Sequence, residues 1–329
     1  MILTRSPLRI TIGGGGPTDM PSYYMKHGGF TVAAAIDKYV YITLHRLYHP
    51  GIILKYAQVE HVQSVDEIKH PLIRESLRLL KIPGDHLEMT SMADIPSGSG
   101  LGSSSSFTTA LLRALHAYQK DIVRPDALAE EACTVEIERA GEPIGKQDQY
   151  ASAIGGITAF TFHTGGVIDY RPVRLSEATL HELEDRLLLF FTGFAGRAAG
   201  SLLRRQDERS RHEDPQVLDN LQLVKKLSHD SLEALEAGDL ARFGHILDMQ
   251  WRQKENRSPE ALNDRIRSCY RMAKAAGAVG GKLVGAGGGG FLMFLADDRV
   301  SLRLAMERAG LQEMRFRFDF EGTKLLQSS

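Results

Sequence analysis

"PSGSGLGSSSSF", residues 96–107, decides how the rest of the chain is read. Three spaced glycines, Gly98, Gly100 and Gly102, precede four serines. From Phe107 onward Ala110, Leu111, Ala114, Leu115 and Tyr118 recur at helical spacing, so the loop opens directly into a helix. Glycines adopt positive φ and let a ligand approach the backbone, while the first turn of a helix offers unpaired N–H groups and a partial positive charge. Together they form a phosphate cradle, with the amides of residues 100–105 facing the anion and a first-turn serine hydroxyl placed to reach a Mg²⁺ shared with it. A polyphosphate suits this stretch, whereas helix capping alone would need one serine. No Lys-Ser or Lys-Thr follows the last glycine, so the loop is not a Walker A sequence.

Two other glycine clusters bracket the chain. "GAGGGG" at 285–290 formally satisfies GxGxxG, but "FLMFLA" follows it, a strand rather than the helix that a dinucleotide site needs. Two strands joined by a tight glycine turn fit better; such a turn either closes over a phosphate or simply bends, and both readings stay open. "GGGGPTDMPSYY" at 13–24 ends a strand and presents Thr18 and Asp19 between Pro17 and Pro21. An aspartate held this way can accept hydrogen bonds from sugar hydroxyls, with Tyr23 and Tyr24 in the same cleft. A plain Asp-containing turn is the alternative.

"EIERAGEPIGKQDQYASAIGG" at 136–156 places Glu136 and Glu138 at the end of a helix and Asp148 beyond a glycine- and proline-bearing turn. Phosphoryl transfer asks chiefly for a metal, charge compensation and a group that positions or deprotonates the attacking hydroxyl. Asp148 can be that group, and Lys146, if close, would hold it ionised. Glu136 can complete a Mg²⁺ shell opposite the loop serine, a solvated helix face being the competing explanation.

The 329 residues allow two lobes. Strand-like "LRITI", "KYVYITLHRL", "IILKYAQVE", "HLEMTSM" and "GITAFTF", with helices at "HPLIRESLRLL", after residue 103 and over 125–140, predict a mixed sheet with helices against it. The polar stretch 170–185 reads as turns and marks the lobe boundary. The second lobe opens with the strand "LLLFFTG", is helical over 197–277 and closes with "GGKLVGAGGGGFLMFLADD". Its charge run "RRQDERSRHED" reads as a solvated helix face. Lys plus Arg (40) nearly cancels Asp plus Glu (41), so neither nucleic acid nor an anionic membrane is an expected partner, and any anion site must be local. Cys133 and Cys269 lack metal or disulfide spacing and read as packed thiols in a reducing cytoplasm. The twelve histidines show no HExxH, Trp251 reads as packing, and no GxSxG is present.

With these motifs in this order, the chain resembles the GHMP kinase superfamily nearly end to end. "PLRITIGGGGPTD" is similar to the first family motif, "PSGSGLGSSSS" to the second and "KLVGAGGGGFLMF" to the third. The resemblance implies an α+β, two-lobed fold: a ribosomal protein S5 domain 2-like N-terminal lobe over 1–175 and a ferredoxin-like C-terminal lobe over 176–329. Within the superfamily, "TDMPSYY", "IDKYVYITL" and "GEPIGKQDQYASAIGG" resemble the bacterial D-glycero-D-manno-heptose 7-phosphate kinases. That implies ATP- and Mg²⁺-dependent phosphorylation of the anomeric C1 hydroxyl on the way to GDP-heptose. The alternatives are a C1 kinase for fucose, mannose or galactose, or a catalytically silent sugar sensor.

Carried over by motif, Pro96, Gly98, Gly100, Leu101, Gly102, Ser103, Ser104 and Ser105 would hold ATP, and Ser104 with Glu136 would hold Mg²⁺. Asp148 would be the catalytic carboxylate, oriented by Arg9 and accompanied by Lys146. Gly15, Gly16, Thr18, Asp19, Arg197, Gly287 and Gly288 would meet the sugar. The chain departs from the family in placing Pro17 between the glycines and Thr18, and in carrying Ser105 and Ser106 where alanines are usual. The implied partners are a sugar phosphate and ATP; a homodimer is compatible with the resemblance.

Overall fold

The computed structural model describes residues 1–328 apart from 16, 194–197 and 213. The first half of the chain forms β1 (Ile2–Gly13), α1 (Pro21–His27), β2 (Gly29–Arg46), β3 (Ile52–Lys55), β4 (Val59–Val62), α2 (Pro71–Leu79), β5 (Leu87–Ala93), α3 (Ser103–Tyr118), α4 (Pro125–Cys133), α5 (Gln147–Ile154), β6 (Ile157–Phe162) and β7 (Ile168–Pro172). The second forms α6 (Glu177–Arg186), β8 (Leu187–Gly193), α7 (Ala198–Arg211), α8 (Pro215–Glu236), α9 (Leu240–Arg257), α10 (Asp264–Ala275), β9 (Ala278–Val284), β10 (Gly290–Ala296), α11 (Arg299–Arg308), β11 (Gln312–Met314) and β12 (Lys324–Ser328).

Two sheets result. The larger runs β12-β1-β2-β5-β3-β4, with β6 and β7 joined through β2; every pairing in it is antiparallel except β3 with β5. On the edge away from β1, β2 serves two partners in turn, pairing with β6 through Gly29–Ala34 and with β5 through Val40–Arg46. Between those segments its register with β1 shifts, where Pro7 faces Tyr39 and Leu8 faces Ile36. Proline has no N–H for the ladder, and a bulge is where a strand tolerates one. The run Val32 to Ile36 is fully buried without alternation, as expected of a strand covered on both faces. The smaller sheet, β11-β8-β10-β9, is antiparallel throughout.

Helix α3 packs on β1 and β2, α8 reaches across from the second half onto the same two strands, and α9 lies on β9. β12 pairs with β1, so residues 176–329 contribute to both sheets.

Two local expectations are corrected. The stretch 170–185 is not simply turns, because it carries the end of β7 and most of α6. β7 has no buried residue and α6 buries only Leu183, so neither leaves a hydrophobic period to read. The helix over 125–140 is α-helical only to Cys133 and continues as a π-helix over Thr134–Arg139.

Candidate active site

The glycine loop is fixed from below and open above. Pro96, Ser97 and Gly98 are exposed, while Ser99 and Leu101 are buried anchors. Gly100 has φ 82° and Gly102 φ 76°; Gly102 is the left-handed residue from which α3 starts at Ser103. The β9–β10 turn presses against this loop backbone to backbone. A Cβ on Gly285 (φ 82°) would lie 2.6 Å from the Gly100 Cα, and one on Gly100 would lie 2.8 Å from the Val284 carbonyl oxygen. The second and third glycine motifs are thus one structure, and the turn does more than bend the chain.

Arg9, from the middle of β1, ties that loop to Asp148 in the first turn of α5. Its Nε donates to Asp148 Oδ1 at 2.7 Å, Nη2 to Oδ2 at 2.5 Å, and Nη1 to the Gly100 carbonyl at 2.7 Å. A guanidinium fork on both carboxylate oxygens fixes their plane as well as their charge. The backbone N–H of Arg9 also donates to the Leu101 carbonyl, at 3.0 Å. Strand, loop and aspartate are therefore set by one residue.

Glu136 sits inside the π-helix, fully buried, and its Oε2 accepts from Ser104 Oγ at 3.0 Å and Ser105 Oγ at 3.2 Å. Its Oε1 is buried with no partner. Burial raises its pKa to about 7, with the hydroxyls of Ser104, Thr108 and Ser105 opposing the rise and the Asp148 charge adding to it. A buried carboxylate with an orphaned oxygen, beside a hydroxyl at the mouth of a phosphate-type loop, fits a hard divalent cation. No cluster of three or more His, Cys, Asp or Glu among the described residues could hold a metal, so the remaining ligands of such a cation would be phosphate oxygens and water.

Asp19 meets the start of α5. The inserted Pro17 begins a 3₁₀ turn over Pro17–Asp19, and Asp19 Oδ2 accepts from the Gln147 N–H at 3.1 Å, capping the start of α5 from another segment. Gly145 makes this approach possible, because a Cβ there would lie 2.0 Å from Asp19 Oδ2. Burial first, and the neighbouring Asp148 charge second, push the Asp19 pKa up to about 7. Asp19, Asp148 and Arg9 line one cleft. The same cleft is lined by Lys254 and Arg257 from α9 and Lys282 from β9.

The GHMP kinases N terminal domain family matches residues 71–156, and the GHMP kinases C terminal family matches residues 231–310. The chain belongs to the GHMP kinases. This kinase is 29% identical over 337 residues to a D-glycero-alpha-D-manno-heptose 7-phosphate kinase of Campylobacter jejuni subsp. jejuni serotype O:2, covering 98% of each chain. It is 26% identical to the bifunctional fucokinase/GDP-fucose pyrophosphorylase of Arabidopsis thaliana, over 89% of this chain and 29% of that one. Its fold matches that of a D-glycero-D-manno-heptose 1-phosphate kinase from Bacteroides thetaiotaomicron with a TM-score of 0.82, at 24% identity over 100% of both chains. The α+β GHMP kinase fold expected from the motifs is the fold observed.

Not every expected residue reaches the cleft of this kinase. Lys146 does not accompany Asp148: its Nζ binds Glu130 Oε2 at 2.8 Å, and Asp148 is served by Arg9 instead. Residues two apart at the start of a helix point to different sides, which is why adjacency in sequence misled. Burial alone would lower the Lys146 pKa, but pairing with Glu130 leaves it raised. Thr18 is fully buried and its hydroxyl faces the Phe30 carbonyl at 3.4 Å. Gly287 and Gly288 pack on Ala261, the Gly288 N–H donating to its carbonyl at 2.8 Å, and Gly285 and Ala286 line the cleft in their place. Gly15 lines the cleft; Gly16 and Arg197 lie outside the described residues. The cations Lys254, Arg257 and Lys282 were not anticipated. Their signal was present, since Lys254 and Arg257 continue the apolar stripe of α9 at helical spacing and Lys282 interrupts an otherwise apolar strand.

Proposed function

We propose that this kinase transfers the γ-phosphoryl group of ATP to the anomeric C1 hydroxyl of D-glycero-D-manno-heptose 7-phosphate, giving the 1,7-bisphosphate used in making GDP-heptose. The observation that carries the reading is the bidentate Arg9–Asp148 pair whose third bond goes to Gly100. It sets one carboxylate at a fixed distance from the loop that would hold ATP phosphates. Similarity to the Campylobacter kinase over nearly the whole chain supports the sugar, and the family supports ATP as donor. We take 1–175 as the lobe of the nucleotide loop and 176–329 as its C-terminal companion.

In this reading the C1 oxygen forms a bond to the γ-phosphorus as the bond from that phosphorus to the β–γ bridging oxygen breaks. ADP leaves, and the hydroxyl proton passes to Asp148. Arg9 keeps Asp148 aimed and offsets charge beside the loop. Asp19 accepts from a sugar hydroxyl. Ser104 Oγ and Glu136 would hold Mg²⁺, which supplies charge neutralisation on the phosphate oxygens. The amides at the start of α3 cradle the phosphates.

A coupled assay for ADP release across heptose 7-phosphate, mannose, fucose and galactose, with ³¹P NMR of the product, tests the proposal. The expected result is turnover dependent on heptose 7-phosphate and a new anomeric phosphate resonance. Preference for an unphosphorylated hexose would reassign the sugar, and the absence of any sugar-dependent ADP would leave a silent sugar-binding protein.

A further inference from the structure

Helix α9 changes character along a single face. Phe243, Leu247, Gln250, Lys254 and Arg257 follow one another at spacings of four, three, four and three, the stripe that a helix turns toward a core. Phe243 and Leu247 are fully buried; Gln250 and Arg257 are buried as well, at 5% and 8% exposure, and Lys254 is half-buried. A face that stays inside while turning from apolar to cationic is costly unless each charge is compensated. Facing it from β9 is Lys282, 7% exposed, in a strand otherwise made of glycine and aliphatic residues.

No carboxylate among the described residues compensates these three cations by an ion pair. Their hydrogen bonds go to neutral oxygens. Lys282 Nζ donates to Gln250 Oε1 at 2.8 Å and to the Gly14 carbonyl; Lys254 Nζ donates to the Leu283 carbonyl at 3.2 Å and to the Gly285 carbonyl; Arg257 Nη1 donates to Asn220 Oδ1 at 2.7 Å. Each ammonium has three donors, so each lysine keeps one in reserve, and Arg257 Nε is buried with no partner at all. Burial, together with repulsion from Arg257 and Arg9, pushes the Lys282 pKa down to about 7, and burial lowers those of Lys254 and Arg257. The whole chain carries a formal charge of −1, so this concentration of positive charge is local. A bound dianion would remove every one of these anomalies together.

We propose that Lys254, Arg257 and Lys282 bind the phosphate monoester that the acceptor sugar already carries, so that the cleft selects phosphorylated over unphosphorylated sugar; this rests on the kinase reading above. The neighbours of Arg257 and Lys282 favour the acceptor's phosphate over the nucleotide's. Lys282 is bound to the Gly14 carbonyl, in the segment that leads to Asp19, and Arg257 to Asn220 of α8, whereas Lys254 also reaches Gly285, whose backbone lies against Gly100 of the nucleotide loop; the cleft that all three line includes Gly14, Gly15 and Asp19 and no residue of 96–105. An acceptor with its reacting hydroxyl at Asp148 and its far end on α9 would span the cleft.

The test compares kcat/KM for heptose 7-phosphate and for the unphosphorylated heptose in the wild type, Arg257→Met and Lys282→Met, with KM for ATP measured alongside. Calorimetric titration of heptose 7-phosphate without nucleotide is run on all three. The wild type should prefer the phosphorylated sugar by about 100-fold or more, and each variant should lose about tenfold or more of that preference and of the calorimetric affinity, with KM for ATP within about threefold. A wild-type preference below about threefold overturns the inference while leaving the kinase reading intact. So do variants that keep the preference and raise KM for ATP about tenfold, which would give the cations to the nucleotide. If no sugar yields ADP, the kinase reading fails, and the titration alone decides: binding to the wild type that is lost in the variants supports the anion site, and absent or unchanged binding overturns it. Should Arg257→Met not fold, Lys282→Met and the wild-type preference carry the same comparison.

Discussion

Glu136→Gln should stabilise the protein in the absence of metal, and should do so more as the pH rises. The carboxylate of Glu136 is fully buried with one oxygen unpartnered, and its pKa is raised from 4.5 to about 7, chiefly by burial. Below pH 4.5 the group is protonated in both the folded and unfolded states and contributes nothing. Between 4.5 and 7 the unfolded chain gives up a proton that the fold retains, so stability falls as pH rises, and above 7 the full cost of the buried charge is present. At 1.36 kcal/mol per unit, that cost is under about 1 kcal/mol at pH 5 and about 3 kcal/mol at pH 8. A glutamine of the same shape carries no charge at any pH, so the difference between variant and wild type should follow that curve. Urea unfolding at pH 5 and pH 8 in EDTA measures it. Mg²⁺ with ATP should then reverse the order at pH 8, stabilising the wild type far more than the variant. A Glu136→Gln protein less stable than wild type at both pH values, or a difference that does not grow with pH, would refute the reasoning.

Three other outcomes are expected. Asp148→Asn should lower kcat at least about 100-fold with ATP affinity nearly unchanged, read by steady-state kinetics and nucleotide titration, since the amide cannot take the proton but leaves the loop in place. Ser104→Ala should raise the Mg²⁺ concentration for half-maximal rate several-fold, because it removes the hydroxyl that faces Glu136; an unchanged metal titration would take Ser104 out of that role. Gly285→Ala should cost about 1–3 kcal/mol of stability and raise KM for ATP, because its φ of 82° is unfavourable for alanine and the new Cβ would meet the Gly100 backbone at 2.6 Å.

The parts of the site that were legible in the sequence are those whose chemistry is written locally. The glycine loop, the serine turn and the aspartate after "GEPIGK" each declare themselves within a dozen residues, and the structure joins Arg9, Gly100 and Asp148 in one hydrogen-bonded set and Ser104 and Glu136 in another. What failed was the assignment of partners. Lys146 lies two residues from Asp148 in the chain, yet the start of α5 sends it to Glu130, while the true partner comes from 139 residues upstream in β1. Pairing across such a separation is a property of the sheet and not of any window of sequence. Segment types failed for a different reason: β7 and α6 lie at an exposed margin and bury too little to impose a period.

The cation wall belongs to neither group, because its signal was local but of a kind that pattern reading discards. Lys254 and Arg257 obey the helical period that Phe243 and Leu247 establish, and a reader who tracks only hydrophobic residues sees the stripe end at Trp251. The backbone does not end it; α9 continues to Arg257 with the same face turned inward. Folding a chain that buries two cations and half-buries a third, without a carboxylate paired to them among the described residues, leaves the empty protein less stable than one with apolar residues there. Such residues persist where the missing charge arrives with a ligand, so a polar interruption in the inward stripe of a long helix is better read as the outline of a substrate than as a weak helix signal.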